Sequence, residues 1–154
     1  MPTEAPDSAA NALTVLSDAD RQELKTCGRT IVFHAGQEIL HQGQHNASLF
    51  VVERGGLHAQ RETGSRRVFL GLLEAGSVFG EISMFDPGPT TASVSATSDG
   101  ELLEIDSEHF RRFAELRPAA ALQFLQALLQ QMARRLRRTD DRLIDAIVWG
   151  GLRK

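Results

Sequence analysis

The sequence has a single cysteine, Cys27, and no apolar run long enough to cross a membrane. A lone cysteine cannot form an internal disulfide, which is typical of a reducing compartment, and we interpret Cys27 as a small hydrophobic residue at a helix end. The chain also lacks an N-terminal signal pattern and a basic excess, since its net charge is −3. These absences predict a cytoplasmic protein with no membrane partner.

Catalytic and metal-binding patterns are missing as well. The histidines that could belong to a barrel include no His-x-His pair followed by a spaced glutamate, which argues against a metal site of the cupin type. Serines and threonines cluster in turns without a nearby histidine, so no nucleophile–base pair stands out. We therefore predict no enzyme activity, no catalytic residue, no metal ligand and no obligatory cofactor.

A length of 154 residues suits one domain with a real core. Small polar residues with Pro2 and Pro6 at the start predict a mobile tail. Ser17, with an acid at Asp20, predicts the start of a short helix that stops at Gly28. We divide the chain into a flexible tail at 1–12, a β domain with flanking helices at 13–117, and a long helix of the same domain at 118–149.

Short apolar runs alternate with glycine turns between residues 29 and 105. Strands at a spacing of about 8 to 12 residues are typical of a small antiparallel barrel or jelly roll. We predict a mainly β fold with helices (α+β), in which the strands are 30–33, 38–40, 48–52, 68–70, 92–94 and 102–105.

The C-terminal part of the sequence predicts helices. Asp106 and Ser107 can cap a helix that ends at Leu116, and Pro118 can begin the next one. From there to about Trp149 nothing breaks a helix, and one series of residues recurs in steps of three and four, which indicates a two-stranded seam. The series is Leu122, Leu125, Leu129, Met132, Leu136, Thr139, Leu143 and Ala146. The helix either packs on its own barrel or joins a homodimer through paired helices, and we favour the homodimer.

The segment from Phe79 to Val94 is the most informative part of the chain. It contains a short helix opened by Gly80 and Glu81, a proline–glycine turn, and small hydroxyl residues before a strand. The start of a helix presents free amides to an anion, and the Ser83 and Thr91 hydroxyls can donate hydrogen bonds. Because Glu81 would repel a bare phosphate, it needs another partner. In a purely structural role it would cap its own helix or pair with Arg135.

These segments together resemble the effector domain of the catabolite-activator and Fnr-type regulators, a cyclic-nucleotide-binding domain. The resemblance rests on glycine hairpins at 33–43 and 49–55, the cassette at 79–94 and the helix segment at 131–139. It implies a β-roll with an N-terminal helix and a long C-terminal dimerisation helix. It also implies roles in a ligand site: Glu81 for the ribose 2′-hydroxyl, Gly80, Ile82, Ser83 and Thr91 for the phosphate, Thr139 for the base, and Arg135 beside the pocket.

One position departs from the family pattern, because Thr90 stands where the family carries its phosphate-binding arginine. Loss of one partner of a buried charge-assisted pair costs about 2–5 kcal/mol. That energy is a factor of roughly 30 to several thousand in the dissociation constant. A swing of Arg54, Arg61 or Arg135 toward the phosphate would compensate. We therefore expect a sensor of cyclic AMP, with cyclic GMP less favoured, at reduced affinity.

Other interpretations of the sequence remain open. The pocket could have changed to a less negatively charged ligand, or it could be degenerate in a dimeric module that binds a partner protein. The chain could also be an effector domain excised from a transcription regulator. Few residues follow Gly150, too few for a helix-turn-helix domain, and the basic run 134–138 precedes Asp140 and Asp141 as in a solvated helix face. We therefore expect no direct DNA binding through this chain.

Overall fold

The computed structural model describes residues 12–150, so all of the predicted tail at 1–12 except Ala12 lies outside the described residues. Ala12, which we assigned to that tail, is instead fully buried at the start of a 3-10 helix over Ala12–Val15. Helix α1 (Asp18–Cys27) begins at the predicted cap, where the Ser17 hydroxyl accepts a hydrogen bond from the Asp20 amide. Cys27 is buried at the end of α1, and this burial raises the pKa of its thiol.

The predicted mainly β fold is confirmed. Described residues form two four-stranded sheets, of order β1-β10-β4-β7 and β2-β9-β5-β6, and a two-stranded ladder of β3 and β8, with every pairing antiparallel. The strands are β1 (Arg29–Phe33), β2 (Glu38–Leu40), β3 (His45–Asn46), β4 (Ser48–Arg54), β5 (Leu57–Thr63), β6 (Arg66–Leu73), β7 (Val78–Phe79), β8 (Gly88–Pro89), β9 (Ser93–Ala96) and β10 (Gly100–Asp106).

Strand β5 is absent from the strands that we predicted. Its first half alternates Leu57 and Ala59 with His58 and Gln60, and only Leu57 is both large and fully buried. An alternation of period two is a strand signal, but it is weak when the inward positions carry so little apolar surface. The missed strand matters because it lies directly beside β9, whose first residues end the cassette.

The roll has two hydrophobic cores that share its first sheet. One lies inside the roll and includes Phe33, Phe50, Leu57, Phe79, Val94 and Leu102. The other lies between the outer face of the same sheet and the helices, and includes Leu24, Leu49, Leu103, Ile105, Phe113, Phe124 and Leu128. Alternate residues of β4 and β10 therefore serve opposite cores, as the pleat of a strand requires.

Three further helices complete the fold: α2 (Glu81–Phe85), α3 (Ser107–Leu116) and α4 (Pro118–Gly150). Asp106 caps α3 in a capping box with His109, in agreement with the predicted cap. The first part of α4 packs on the roll through residues such as Phe124 and Leu128, whereas every residue from 135 to 150 is exposed. Because α4 has 33 residues, it is about 50 Å long and extends well past the roll.

Candidate functional site

The cassette begins at a left-handed glycine. Gly80 precedes α2 with φ 74° and ψ 10°, a conformation that L side chains rarely adopt. A Cβ atom at this position would lie 2.7 Å from the main-chain oxygen of Ser48, so a larger residue would also displace the cassette from β4. The backbone turn at Gly80 carries the next residue, Glu81, into the interior, where it is only 4% exposed.

Glu81 is paired with the long helix. Its Oε1 atom accepts a hydrogen bond from Nη1 of Arg135 at 2.7 Å, although the two residues are 54 positions apart. The Glu81 side chain is 6% exposed and the Arg135 side chain 55% exposed. The guanidinium therefore neutralises a carboxylate that would otherwise repel an anion at the start of α2. Of the two structural roles considered for Glu81, the pairing with Arg135 is the one observed.

The structure corrects one predicted donor. The Ser83 amide donates to the carbonyl of Gly80 at 3.1 Å, so it is occupied within the first turn of α2. The amides of Gly80 and Ile82 remain the candidates for binding a phosphate. Ser83 is half-buried, and its hydroxyl remains a possible donor.

Thr90 is held by a loop that the sequence analysis did not connect with the cassette. Its hydroxyl donates to the carbonyl of His41 at 2.7 Å. Its amide donates to the carbonyl of Gln44 at 2.8 Å, and its carbonyl accepts from the amide of Gly43 at 2.8 Å. The single hydroxyl proton of Thr90 is therefore used inside the protein. Thr91, the next residue, is exposed and can still offer its hydroxyl to a ligand.

The arginines named as possible substitutes differ in what they bind. Arg54 contacts Glu101 at 3.3 Å at the end of the β4–β10 pairing, and Arg135 contacts Glu81. The side chain of Arg61, on β5, has no hydrogen bond or ion pair within residues 12–150. Two of the three candidate cations are thus already neutralised by carboxylates, and Arg61 is available.

The proposed base contact lies on the exposed part of α4. Thr139 is one helical turn after Arg135, and its hydroxyl donates to the Arg135 carbonyl at 3.0 Å. The hydroxyl oxygen can still accept a hydrogen bond from an amino group. Asp140 follows it on the exposed surface.

The predicted seam of α4 is a separate face from the one that packs on the roll. Buried residues of α4 are Ala120, Ala121, Phe124, Ala127 and Leu128. The large seam residues Leu122, Leu129, Leu136 and Leu143 are 58–63% exposed. A stripe of exposed leucines on one face is typical of a helix that packs on a second helix.

Other features of the described residues lie outside the cassette. A polar cleft of about 390 Å³ opens between β1, β2 and the start of β4, but neither Glu81 nor Thr90 lines it. Arg29 and Glu104 line this cleft and bind each other, and Glu104 also accepts from the Ser48 hydroxyl at 3.0 Å. Over residues 12–150 we find no group of side chains suited to hold a metal ion. Within the same range, no helix is apolar over enough of its length to span a bilayer.

Comparison with known proteins places these features in a family. A sequence model described as the cyclic nucleotide-binding domain matches residues 30–117. The CRP-like cAMP-activated global transcriptional regulator of Mycobacterium tuberculosis is 31% identical over 116 residues, which are 75% of this chain and 50% of that protein. The cyclic AMP receptor protein of Thermus thermophilus is 36% identical over 110 residues, which are 71% and 49% of the two chains. This chain thus spans about half the length of the curated relatives that it matches.

Solved structures agree with the sequence matches. The N-terminal domain of a transcriptional regulator from Streptomyces coelicolor superposes with a TM-score of 0.72 at 29% identity, over 88% of this chain and 92% of that one. The catabolite activator protein of Thermus thermophilus gives a TM-score of 0.77 at 27% identity, over 87% and 62% of the two chains. The predicted β-roll with an N-terminal helix and a long C-terminal helix is therefore confirmed.

Proposed function

This chain belongs to the cyclic nucleotide-binding domain family, and we propose that it senses cyclic AMP, with cyclic GMP less favoured, at an affinity reduced by Thr90. The supporting observation is the buried Glu81 carboxylate, which α2 and Arg135 hold at the entrance of the cassette. A ribose 2′-hydroxyl can donate to this carboxylate, and the paired guanidinium offsets the repulsion between the carboxylate and the cyclic phosphate.

The other contacts follow from what each group can donate or accept. The amides of Gly80 and Ile82 and the hydroxyl of Thr91 would bind the cyclic phosphate, and Thr139 would meet the base. Thr90 would contribute no charge, and its hydroxyl proton is used by His41. The relatives from Mycobacterium tuberculosis and Streptomyces coelicolor are named as transcriptional regulators, which supports a regulatory role in place of catalysis.

We propose that two copies join along the exposed leucine stripe of α4. Ligand binding would then change the helix pair through Arg135, which touches both the site residue Glu81 and the helix that carries the stripe. A ligand shifts such an arrangement only by the difference between its affinities for the two helix positions.

Titration calorimetry tests the ligand proposal directly. Cyclic AMP and cyclic GMP are titrated into the parent protein, into Thr90→Arg, and into Thr97→Arg, which adds the same charge at an exposed threonine after β9. We expect Thr90→Arg to bind cyclic AMP at least about 30-fold more tightly than the parent, because the restored pair is charge-assisted. Thr97→Arg should match the parent. Absence of binding to both the parent and Thr90→Arg would reject the proposal.

The molar mass in solution, measured by light scattering, tests whether two copies join along α4. Leu129→Asp together with Leu136→Asp places two charges on the stripe and should yield monomers in light scattering. The matched control, Gln130→Asp together with Arg137→Asp, adds acidic residues at exposed positions one residue further along the helix and should remain dimeric. An unchanged mass for the leucine variant would contradict the seam.

A second function is supported by the same stripe. If the pocket is degenerate, the exposed face of α4 would make the domain a dimeric module for a partner protein. Calorimetry without binding, combined with the loss of the dimer in the leucine variant, would favour this function.

A further inference from the structure

The pairing of β5 places Arg61 on the strand face that carries Leu57 and Ala59, at the exposed end of that face. Leu57 lies opposite Ala96 and Ala59 lies opposite Val94, and both partner residues are buried. Side chains of a strand alternate between its two faces, so Arg61 lies on the same face as Leu57 and Ala59. The β5–β9 pairing ends at Gln60 with Ser93, so Arg61 lies one residue beyond it, level with residue 92, which precedes β9.

A side-chain clamp ties this end of β5 to the loop that holds Thr90. The Gln42 side chain donates through Nε2 to the Glu62 carbonyl at 3.0 Å and accepts from the Glu62 amide at 2.7 Å. The main-chain amide of Gln42 also donates to the Ser93 hydroxyl at 2.9 Å. Because Gln42 lies between His41 and Gly43, which both bind Thr90, the residue next to Arg61 is joined to the cassette through hydrogen bonds.

The carboxylates near Arg61 pair with other residues and not with its guanidinium. The adjacent carboxylate of Glu62 lies on the opposite face of β5 and contacts Arg67 at 3.2 Å. The Glu81 carboxylate, which belongs to the site, forms an ion pair with Arg135. Arg61 has no ion-pair partner over the part of the chain that the structure describes. A cation without a carboxylate partner on this face of β5 is suited to a ligand anion.

We propose that Arg61 supplies the positive charge for the phosphate of the cyclic nucleotide, in place of the arginine that is absent at position 90. This inference rests on the proposed function. It attributes the remaining affinity of the site for the cyclic phosphate to Arg61. Arginine has a long side chain with a fork of donors that matches phosphate oxygens, so it can reach the cassette from the neighbouring strand. In this proposal Thr90 stabilises the loop at 41–44 through its hydrogen bonds, and Arg61 supplies the positive charge for the phosphate.

Calorimetry with cyclic AMP and with adenosine, which lacks the phosphate, tests the proposal. Arg61→Ala should weaken cyclic AMP binding about tenfold, because a charge-assisted contact with the phosphate is lost. The same variant should leave adenosine binding unchanged. Arg61→Lys should retain part of the affinity. The matched control Arg67→Ala removes the same charge from the opposite face of the hairpin and should have no effect on binding.

A double-mutant comparison separates this proposal from the function on which it rests. In the Thr90→Arg background, Arg61→Ala should cost less than about threefold, because a second cation then holds the phosphate. An equal loss for cyclic AMP and adenosine, or no loss for either, would overturn the role of Arg61 while leaving the sensor function intact. Binding by Thr90→Arg without any binding by the parent would also overturn it. Absence of binding by both would reject the function and the role of Arg61 together.

Discussion

The pair formed by Glu81 and Arg135 should couple the cassette to α4, and this coupling is measurable as a free energy. The two side chains meet at 2.7 Å across 54 residues of sequence. Removal of Arg135 leaves a nearly buried carboxylate without its cation. Removal of Glu81 leaves a half-exposed guanidinium that water can solvate. The two single changes are therefore unequal, and the double change removes the pair altogether.

The magnitude follows from the exposure of each partner. Breaking a fully buried pair costs about 3–5 kcal/mol, and an exposed pair is worth about 0–1 kcal/mol. Glu81 is 6% exposed and Arg135 is 55% exposed, so the pair lies between these limits. We expect a coupling free energy of about 1–2 kcal/mol after allowance for solvent screening of the exposed arginine.

Urea unfolding of four proteins at one protein concentration provides the measurement: the parent, Glu81→Gln, Arg135→Gln and the double variant. Arg134→Gln is the matched control, since the Arg134 Nε donates only to the Gln130 carbonyl of its own helix, at 3.3 Å. This control should lower the free energy of unfolding by less than about 0.5 kcal/mol. A coupling below about 0.3 kcal/mol for the Glu81–Arg135 cycle would refute the reasoning.

Three further predictions concern the loop, the cassette and the buried thiol. Thr90→Val should lower the free energy of unfolding by about 1 kcal/mol, because the hydrogen bond to the His41 carbonyl is lost, whereas Thr90→Ser should keep it. Equal losses in the two variants, measured by urea unfolding, would contradict this role. Gly80→Ala should cost about 1–3 kcal/mol in the same assay, because φ is positive and the new Cβ would approach the Ser48 oxygen; an unchanged midpoint would contradict it. The raised pKa of Cys27 should make its reaction with a disulfide reagent at about pH 8 much slower in the native protein than in urea. The stability associated with this neutral thiol should be lost as the pH rises through the raised pKa, and a native reaction rate equal to that in urea would show that the thiol is not buried.

Much of the local structure was predictable because it depends on residues close together in sequence. The caps at Ser17 and Asp106 are short-range hydrogen bonds, and both occur where we predicted them. Gly80 precedes the cassette helix in a left-handed conformation that residues with a side chain rarely adopt. The long helix and its leucine stripe follow from a period that any helix of that sequence would display.

The site itself was only partly predictable from sequence. The pairing of Glu81 with Arg135 was one of the stated possibilities, and it is observed. The engagement of Thr90 by the loop at 41–44 and the occupied Ser83 amide were not foreseen. A signal for the loop existed in the glycine hairpin around Gly43, but that pattern does not say which distant residue the hairpin will contact.

The sequence alone determined the helices, most of the strands and the chemistry available in the cassette, because propensity, capping and periodicity act over a few residues. Only the tertiary structure decided which of the three candidate arginines, Arg54, Arg61 and Arg135, has no carboxylate partner among the described residues. The carboxylate partners of Arg54 and Arg135 come from elements far along the chain, and the position of Arg61 depends on the register of β5 against β9. Register and packing are set by the whole core, so patterns that act over a few residues do not reveal them.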